Sequence, residues 1–323
     1  MEFKDGALLI NKPAGISSFG VIEELRIQLK NAGFKRSEWP TLGHGGTLDP
    51  FATGLLVVLV GEASKLARYF LGANKGYEGT FRFGETTVPG DPTSDVVERS
   101  DVQPESLAFL QEMARKFSAQ PYLQVPPMHS AKKKDGKPLY ELARAGIEVE
   151  REPVLCQIHQ FDISTYDSPR SKFNVLCNSG TYIRTLAQDF SRFVGTVGLL
   201  ESLNRTRSGS FQGSDAWTLE EVTKATKDDQ NWHELPCWIP FDQLLKGYDS
   251  CEATAEEASA LANGRQNVLF NLIRRAQPGV SPVSSIPAYP HRENCLAIYH
   301  THRLIAVARN EENKWQLDRV FPR

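Results

Sequence analysis

The feature that most constrains this 323-residue chain is a glycine-rich segment that leads into a wholly apolar one. Residues 43–50 read Gly-His-Gly-Gly-Thr-Leu-Asp-Pro, and their three glycines allow the backbone to turn tightly or to approach a ligand closely. Residues 55–60 are apolar at every position, which is typical of a strand that is buried on both faces. Because Asp49 precedes a proline, its backbone favours extended conformations. The segment predicts either a shaped loop that presents one carboxylate, or an ordinary turn that Asp49 caps.

The spacing of apolar residues elsewhere predicts a chain of alternating strands and helices. Residues 7–10 predict a strand, and Ser18 is placed to cap a helix that Gly33 ends. Residues 77–83 alternate between apolar and polar, as in a half-buried strand, whereas the apolar residues of 107–117 recur at helical spacing. The remaining predicted elements are strands at 173–177, 296–299, 304–308 and 315–320, a helix at 183–194, and helices that begin at the capping boxes Thr218 with Glu221 and Thr254 with Glu257.

These elements predict an α+β fold with two domains. The first domain spans residues 1–247, and the second, which is small and mostly β, spans residues 248–323. Within the first domain the chain changes character over residues 121–153, where Pro126-Pro127 and residues 132–138 are loop-like, and residues 131–146 carry five basic side chains against two acidic ones. Residues 278–290 are rich in proline and serine, which predicts a loop in the second domain.

The composition excludes several classes of protein. The chain has 37 lysine and arginine residues and 39 aspartate and glutamate residues, for a net charge of −2, so it is not a globally basic nucleic-acid binder. Any contact with nucleic acid must use local positive charge. No apolar run approaches the roughly 20 residues of a membrane helix, and the charged N-terminus does not resemble a secretory signal. The sequence predicts a soluble, cytoplasmic protein with no membrane contact.

Motifs for cofactors and metals are missing from the sequence. The glycine-rich segment lacks both the dinucleotide fingerprint and the Gly-Lys-Ser/Thr of a phosphate loop, and no Gly-x-Ser-x-Gly occurs. The seven histidines never form His-x-x-x-His, and the five cysteines never form Cys-x-x-Cys. We therefore expect no cofactor, no metal site and no disulfide framework.

A second candidate cluster occupies residues 180–185, which read Gly-Thr-Tyr-Ile-Arg-Thr. The spacing of Tyr182 and Arg184 predicts that both side chains lie on one side of a strand end, where both can line a single cleft. Arginine in such a place usually pairs with a carboxylate or a phosphate. A solvated arginine on a surface strand is the alternative interpretation. Further along the chain, Arg205 and Arg207 add positive charge to a short polar stretch.

In order and spacing, these segments together resemble the TruB family of tRNA pseudouridine synthases. The block around Asp49 is the most specific, and the blocks span most of residues 7–211, whereas the C-terminal part resembles an RNA-binding PUA domain more weakly. The chain departs from the usual pattern at Gly45, where threonine or serine is common, at His129, which replaces a tyrosine, and at Asn204, which replaces an arginine. The blocks that carry the resemblance are residues 8–15, 43–56, 75–77, 125–131, 139–144, 180–186 and 203–209.

The resemblance implies a pseudouridine synthase fold, with a central mixed, mostly antiparallel sheet flanked by helices and loops. It also implies a redox-neutral isomerisation, in which uracil leaves C1′ of a uridine in RNA, rotates and rejoins through C5 without a cofactor. Asp49 is the implied catalytic carboxylate, either as a nucleophile at C1′ or as a base on the sugar. Arg184 is its implied partner, which keeps the carboxylate ionised. Tyr77 would stack on the base, and Tyr182 and Leu203 would complete the pocket.

The implied substrate is uridine 55 in the T-loop of tRNA, recognised mainly by the shape of the loop. The target base must leave its stack, and His44 is implied to fill the space that the base vacates. The insertion at residues 121–153 would close on the T-loop as a thumb, and the second domain would contact the acceptor stem. The protein would act as a monomer without an obligatory protein partner. The basic residues expected to meet RNA phosphates are Lys132, Lys133, Lys134, Arg205 and Arg207.

Two alternative functions stay open at this point. The chain could be a non-catalytic factor that binds or folds tRNA on the same scaffold, although binding alone requires none of Asp49, Tyr77 and Arg184 in a cleft. It could also be similar to the guide-RNA-dependent relatives of the family, which act within larger particles, although it lacks a lysine-rich tail. Residues 31–41 form a longer segment than in compact members of the family, and the sequence assigns them no role.

Overall fold

The computed structural model of the chain describes residues 3–130, 132–134, 136–228, 231–277 and 294–321. The chain divides into two compact units, the terminal unit and the middle unit. The terminal unit combines Met1–Asn74 with Thr206–Arg323, and the middle unit is the continuous stretch Lys75–Arg205. The domain boundary predicted between residues 247 and 248 is not one of these divisions and stays a prediction. The loop predicted at residues 278–290 lies outside the described residues.

Helices and strands alternate along most of the described chain. The helices are α1 (Ser18–Asn31), α2 (Ala67–Leu71), α3 (Leu107–Ser118), α4 (Leu139–Arg144), α5 (Ile183–Phe193), α6 (Leu219–Lys227), α7 (Ala255–Ala262) and α8 (Leu269–Arg274). The strands are β1 (Gly6–Lys12), β2 (Leu42–His44), β3 (Thr53–Val60), β4 (Lys75–Phe83), β5 (Glu85–Thr87), β6 (Val96–Arg99), β7 (Tyr122–Gln124), β8 (Lys133–Lys134), β9 (Lys137–Pro138), β10 (Val154–Cys156), β11 (Ile158–Asp167), β12 (Arg170–Cys177), β13 (Gly198–Ser208), β14 (Phe211–Gln212), β15 (Trp217–Thr218), β16 (Trp238–Pro240), β17 (Asp249–Glu252), β18 (Cys295–His300), β19 (Arg303–Glu311) and β20 (Lys314–Val320).

A buried strand pair forms the centre of the terminal unit, because most of β1 and β3 is apolar. The two strands pair antiparallel from Gly6 opposite Val60 to Lys12 opposite Gly54, and nearly all their residues are buried. Strand β1 also pairs antiparallel with β16 and in parallel with β15, and β2 pairs antiparallel with β3. Helix α1 buries an apolar stripe in the same core, as the spacing of Ile22, Leu25 and Leu29 predicts.

The last four strands form a second sheet in the terminal unit, in the order β17, β18, β19 and β20. Residues such as Leu261 and Ile298 form a separate apolar core with helices α7 and α8, whereas Val307 and Phe321 join the core of the N-terminal strands. The Tyr69 hydroxyl donates a hydrogen bond of 2.5 Å to Asp318 Oδ2. Residues from both ends of the chain therefore share one packed interior.

The middle unit is built on strand β12, which pairs antiparallel with both β11 and β4. Aromatic side chains fill its interior, where the Phe81 and Phe173 rings stack with their centroids 4.0 Å apart and Phe190 of α5 packs nearby. Gly79 is required where β4 lies beside β13, because a Cβ atom there would lie 2.2 Å from the Ser202 carbonyl oxygen. Close backbone approach and aromatic packing thus fix the position of β4.

Most local predictions are confirmed, and the strands pair mostly antiparallel in an α+β arrangement. One helix cap differs from the prediction. Ser17 caps α1, since its backbone is extended and its Oγ accepts a hydrogen bond from the Gly20 N–H, whereas Ser18 is buried in the first turn. The strand β17 was not predicted, because its sequence Asp-Ser-Cys-Glu has little strand propensity and its pairing partner β18 is distant in the chain.

The cysteines and the helices can be compared with two expectations from the sequence, that the chain has no disulfide framework and no membrane helix. All five cysteines are free and buried. Among the residues that the structure describes, no helix is long and apolar enough to cross a membrane.

A close contact at Gly45 gives a physical reason for the departure from the family pattern there. A Cβ atom on Gly45 would lie 2.6 Å from Cβ of Phe70, which is itself buried in the core of the terminal unit. At Gly43, two residues earlier, the nearest atom to a new Cβ is 3.8 Å away, on Ser64. The larger residue that is common in the family at position 45 therefore does not fit beside Phe70.

We expect Gly45→Ala to lower the free energy of unfolding by about 1–3 kcal/mol, because an added methyl group overpacks the contact with Phe70. Gly43→Ala is the matched control and should change the free energy of unfolding little, since its Cβ has room. Urea unfolding followed by circular dichroism measures both values. Equal effects of the two substitutions would contradict the steric explanation.

Candidate active site

The loop that carries Asp49 is held by hydrogen bonds at both of its ends. At its start, the N–H of Gly45 donates to the Val57 carbonyl oxygen at 2.9 Å, which continues the pairing of β2 with β3. At its end, the Leu48 N–H donates to Oγ of the buried Ser18 at 2.7 Å. Asp49 itself is half-buried, so its carboxylate is placed by the backbone while part of it stays accessible.

Lys12 is a residue of this loop system that sequence reasoning did not single out. Its side chain is completely buried, and its ammonium group donates hydrogen bonds to the carbonyl oxygens of Pro13, Ile16 and Pro50 at 2.8, 2.8 and 3.3 Å. The Pro50 carbonyl also accepts a hydrogen bond of 2.7 Å from the Gly15 N–H. A buried charge is costly unless such partners compensate it. Lys12 thereby fixes the residue that directly follows Asp49.

His44 lies on the same loop and is half-buried. The N–H of Gly46 donates to its Nδ1 at 3.4 Å, a long hydrogen bond that requires an unprotonated Nδ1. In a neutral imidazole the proton then resides on Nε2. The structure thus places His44 and Asp49 together in the terminal unit, five residues apart on one glycine-rich turn.

Tyr77 lies on β4 in the middle unit, and its phenol is hydrogen-bonded to the guanidinium group of Arg205. Arg205 is only 2% exposed, and this burial lowers its pKa, although the bond to Tyr77 acts in the opposite direction. Lys75, two residues before Tyr77 on the strand, is also buried. Desolvation, with the nearby charge of Arg205, lowers the pKa of Lys75 to about 7. Two basic groups therefore lie in the interior beside Tyr77.

Arg184 lies in the first turn of α5, and its guanidinium group is held by the middle unit. It donates hydrogen bonds to the carbonyl oxygens of Pro89 at 3.0 Å and His129 at 2.8 Å. Its Nε is 3.6 Å from Asp91 Oδ2, and the side chain is 3% exposed. These partners therefore hold the Arg184 guanidinium group in one orientation.

Tyr182 is the residue that precedes α5, so the prediction that Tyr182 and Arg184 share a strand end is wrong. The buried amide of Gln124 holds this helix start. It accepts from the Tyr182 N–H at 2.8 Å through Oε1 and donates to the Tyr182 carbonyl at 3.1 Å through Nε2. Gln124 was not identified from the sequence, because no motif distinguishes it from a surface glutamine.

Residues on β13 follow the two-residue alternation of a strand, and this corrects one part of the prediction. Leu203, Arg205 and Arg207 all face inward and are buried, whereas Asn204 between them reaches Glu78 Oε1 with its amide at 2.9 Å. Arg207 donates from Nε to the Gly209 carbonyl oxygen at 2.8 Å. The two arginines are therefore buried rather than exposed on a surface, and the role of Leu203 as a pocket wall stays a prediction.

The three lysines predicted to meet RNA lie on or beside a short hairpin. Lys132 is exposed, and β8, formed by Lys133 and Lys134, pairs antiparallel with β9. The carbonyl oxygen of Lys132 accepts a hydrogen bond of 2.7 Å from the Leu139 N–H, which closes the hairpin. Residues 131 and 135, on either side of the lysines, lie outside the described residues.

The site residues thus form two groups, one in each unit. The terminal unit contributes the half-buried carboxylate of Asp49 with His44, and the middle unit contributes Tyr77, Arg184 and the side chains around them. Within the described part of the chain, no three histidine, cysteine, aspartate or glutamate side chains cluster in a way that could hold a metal ion. The available chemistry of these groups is that of a carboxylate, a phenol and guanidinium groups.

Comparison with known proteins identifies the family. Residues 35–183 match the family described as TruB family pseudouridylate synthase (N terminal domain). A protein of Bordetella avium, named tRNA pseudouridine synthase B, is 42% identical over 224 residues, which are 69% of this chain and 88% of that protein. A protein of the same name from Azoarcus sp. is 39% identical over 264 residues, or 81% of this chain and 83% of that protein.

Solved structures share the fold at lower identity. A chain in the crystal structure of a Cbf5–Nop10–Gar1 complex has a TM-score of 0.69 and 19% identity, and the match covers 98% of this chain and 84% of that chain. A chain in an H/ACA RNP bound to a substrate RNA containing 2′-deoxyuridine gives a TM-score of 0.65 at 17% identity, with 98% and 85% covered. The predicted pseudouridine synthase fold is confirmed. With relatives at 39–42% identity over most of its length, this chain belongs to the TruB family of pseudouridylate synthases and is an enzyme of that family.

Proposed function

We propose that this enzyme converts uridine to pseudouridine in tRNA, at uridine 55 of the T-loop, and that Asp49 carries out the chemistry. The relatives named tRNA pseudouridine synthase B support tRNA as the substrate. The observation that carries the role of Asp49 is the bracing of its loop by two buried side chains, Ser18 and Lys12. A loop built only to turn the chain needs no such support on both sides of one carboxylate.

The reaction balances without a cofactor. The C1′–N1 bond of the uridine breaks, the uracil rotates, and a C1′–C5 bond forms, after which the proton on C5 leaves and N1 carries a proton. Asp49 either adds to C1′ and is later displaced, or removes a proton from the sugar and returns it. Both routes require an ionised carboxylate beside the ribose, which a half-buried position in a backbone-shaped loop can supply.

Arg184 is proposed as the cation that keeps Asp49 ionised and oriented. Its guanidinium group is already fixed by Pro89, Asp91 and His129, so little entropy is lost when it binds a further acceptor. The substitution of histidine for the usual tyrosine at position 129 leaves this support in place, because the contact uses the backbone carbonyl.

Tyr77 is proposed to stack on the flipped uracil and to receive the proton from C5. The hydrogen bond from Arg205 orients its hydroxyl group. Tyr182 and Leu203 would form the remaining walls of the pocket. Arg205 accordingly acts through Tyr77, as a positioning residue, rather than on RNA phosphates.

Recognition of the RNA is proposed to use shape and local charge. Extrusion of the base costs a few kcal/mol, and His44 would occupy the space left in the T-loop. The segment 121–153 with Lys132, Lys133 and Lys134 would close on the loop, and residues 248–323 would contact the acceptor stem as a PUA-like domain. We propose that the enzyme acts as a monomer.

Replacement of the carboxylate tests the central claim. We expect wild-type protein to release tritium from tRNA transcripts labelled at C5 of uridine, and Asp49→Ala to release none above background. Asp162→Ala, at an exposed aspartate on β11, is the control and should retain full activity. Release by neither the wild type nor the control would disprove the enzymatic function and would favour the non-catalytic tRNA-binding factor.

The role of the Tyr77 hydroxyl group can be tested separately from the role of its aromatic ring. Tyr77→Phe keeps the stacking surface but removes the hydroxyl group, so we expect tRNA affinity within about twofold of wild type and a turnover reduced by a factor of about 10²–10⁴, the range for general acid–base groups. Thermal unfolding shows whether the loss of the partner of Arg205 destabilises the fold. Wild-type turnover in Tyr77→Phe would mean that another group removes the C5 proton.

The charge of the hairpin predicts a salt effect. Because each phosphate contact contributes about 0.7–0.9 to the slope of log K against log salt, alanine at positions 132, 133 and 134 should reduce that slope by about two to three. Filter binding of tRNA between 50 and 200 mM salt measures the slope, with Lys116→Ala/Lys172→Ala, two exposed lysines outside the hairpin, as the control. An unchanged slope would remove the hairpin from the RNA interface.

A further inference from the structure

A groove of about 500 Å³ lies on the terminal unit between α1 and the segment that leads into β2. One wall is a face of α1 that includes Arg26, Ile27 and Lys30, which helical periodicity brings together. The other wall is formed by Arg36 and Trp39, within the longer segment 31–41 to which no role is assigned. Residues 36–38 form a 3₁₀ turn that a hydrogen bond from the Lys35 N–H to Glu38 stabilises, so this wall is a defined structure.

The groove is positively charged. Its lining contains three basic side chains and a single acidic one, Glu23, which forms an ion pair of 2.6 Å with Arg26. Lys30 and Arg36 are exposed, and neither makes an ion pair with any residue that the structure describes. Two cations are therefore available to a negatively charged ligand.

The groove also presents apolar and aromatic surface between these charges. Trp39 is half-buried, and its indole N–H donates to the Phe34 carbonyl oxygen at 3.2 Å, which fixes the orientation of the ring. Ile27 is 47% exposed beside it. A fixed aromatic ring flanked by cations is the arrangement with which proteins bind unpaired nucleotides, because bases stack on the ring while phosphates meet the charges.

This face of α1 leads directly to the Asp49 loop. Phe19, in the first turn, is 57% exposed, and the guanidinium carbon of Arg26 lies 5.9 Å from the centre of its ring. The neighbouring Ser18 accepts the hydrogen bond from Leu48, next to Asp49. At a rise of 1.5 Å per residue, the helix spans roughly 18 Å from Ser18 to Lys30. Phe19 and the half-buried Arg26 thus lie on α1 between the Asp49 loop and the groove.

We propose that the groove binds an unpaired segment of the tRNA substrate outside the T-loop, with a base stacked on Trp39 and phosphates at Lys30 and Arg36. The proposal rests on the proposed function, which places RNA at the Asp49 loop where α1 begins. An acidic protein segment could bind the same cations, but it would gain less from a fixed aromatic ring. The proposed function also places RNA, and no protein partner, at the Asp49 loop where α1 begins.

Binding measurements test this second contact with RNA. We expect Lys30→Ala/Arg36→Ala to weaken binding of an unmodified tRNA transcript about tenfold at 0.1 M salt and to reduce the salt slope by about 1.4, the value for two contacts with a single strand. Trp39→Ala should weaken binding at least about fivefold, and Trp39→Phe should restore much of the affinity, since it keeps an aromatic ring. Turnover at saturating tRNA should stay at the wild-type value, because none of these residues belongs to the catalytic loop.

Controls separate this proposal from folding defects and from the proposed function. The double variant Lys116→Ala/Lys172→Ala removes the same charge elsewhere, and thermal unfolding identifies a variant that fails to fold. If both groove variants bind tRNA as tightly as this control, the proposal is wrong and an acidic protein segment becomes the remaining occupant. Tritium release by wild-type protein is measured separately, so a failure of the proposed function would be seen even where the groove binds RNA.

Discussion

The buried ammonium group of Lys12 makes the interaction on which the geometry of the Asp49 loop depends. Removal of a charge from water is costly, and here three carbonyl oxygens compensate it. Two of them belong to the turn after β1, and the third, on Pro50, directly follows Asp49. Strand β1 pairs along its whole length with β3, the strand that follows the loop. Both ends of the loop are therefore anchored to the same pair of strands. The packing of the buried core consequently determines where the Asp49 carboxylate lies.

The sequence was sufficient to predict those elements whose residues carry their own signal. Strand β3 is apolar throughout, and the capping boxes at Thr218 and Thr254 mark helix starts that the structure contains. The apolar spacing also predicted the helix at 183–194, but no capping signal marks its start, because Tyr182 makes no capping hydrogen bond with its side chain. The order tyrosine, isoleucine, arginine fits a strand as well as the first turn of a helix. In the structure, the Tyr182 N–H donates to Oε1 of Gln124, 58 residues earlier in the chain, where the helix starts.

Fewer of the candidate site residues than of the helices and strands could be predicted from the sequence pattern itself. A resemblance to a family supplied Asp49, Tyr77 and Arg184, whereas composition and spacing left each of them with an ordinary alternative. Arg205 and Arg207 were expected to meet RNA phosphates, but the alternation along β13 turns both inward. Burial of a charge depends on partners distant in the sequence, so Lys12 and Arg205 could not be distinguished from surface residues by pattern alone.

The division of the chain into a continuous middle unit and a discontinuous terminal unit has a consequence for synthesis on the ribosome. Lys75–Arg205 contains its own aromatic core, so the residues of that core are all present as soon as this segment has emerged. The terminal unit does not, because Tyr69 must wait for Asp318, 249 residues later. At about 5–20 residues per second, this interval lasts roughly 12–50 s. The core around β1 and β3 is thus begun early but completed last, and during that interval part of its apolar surface lacks its final contacts.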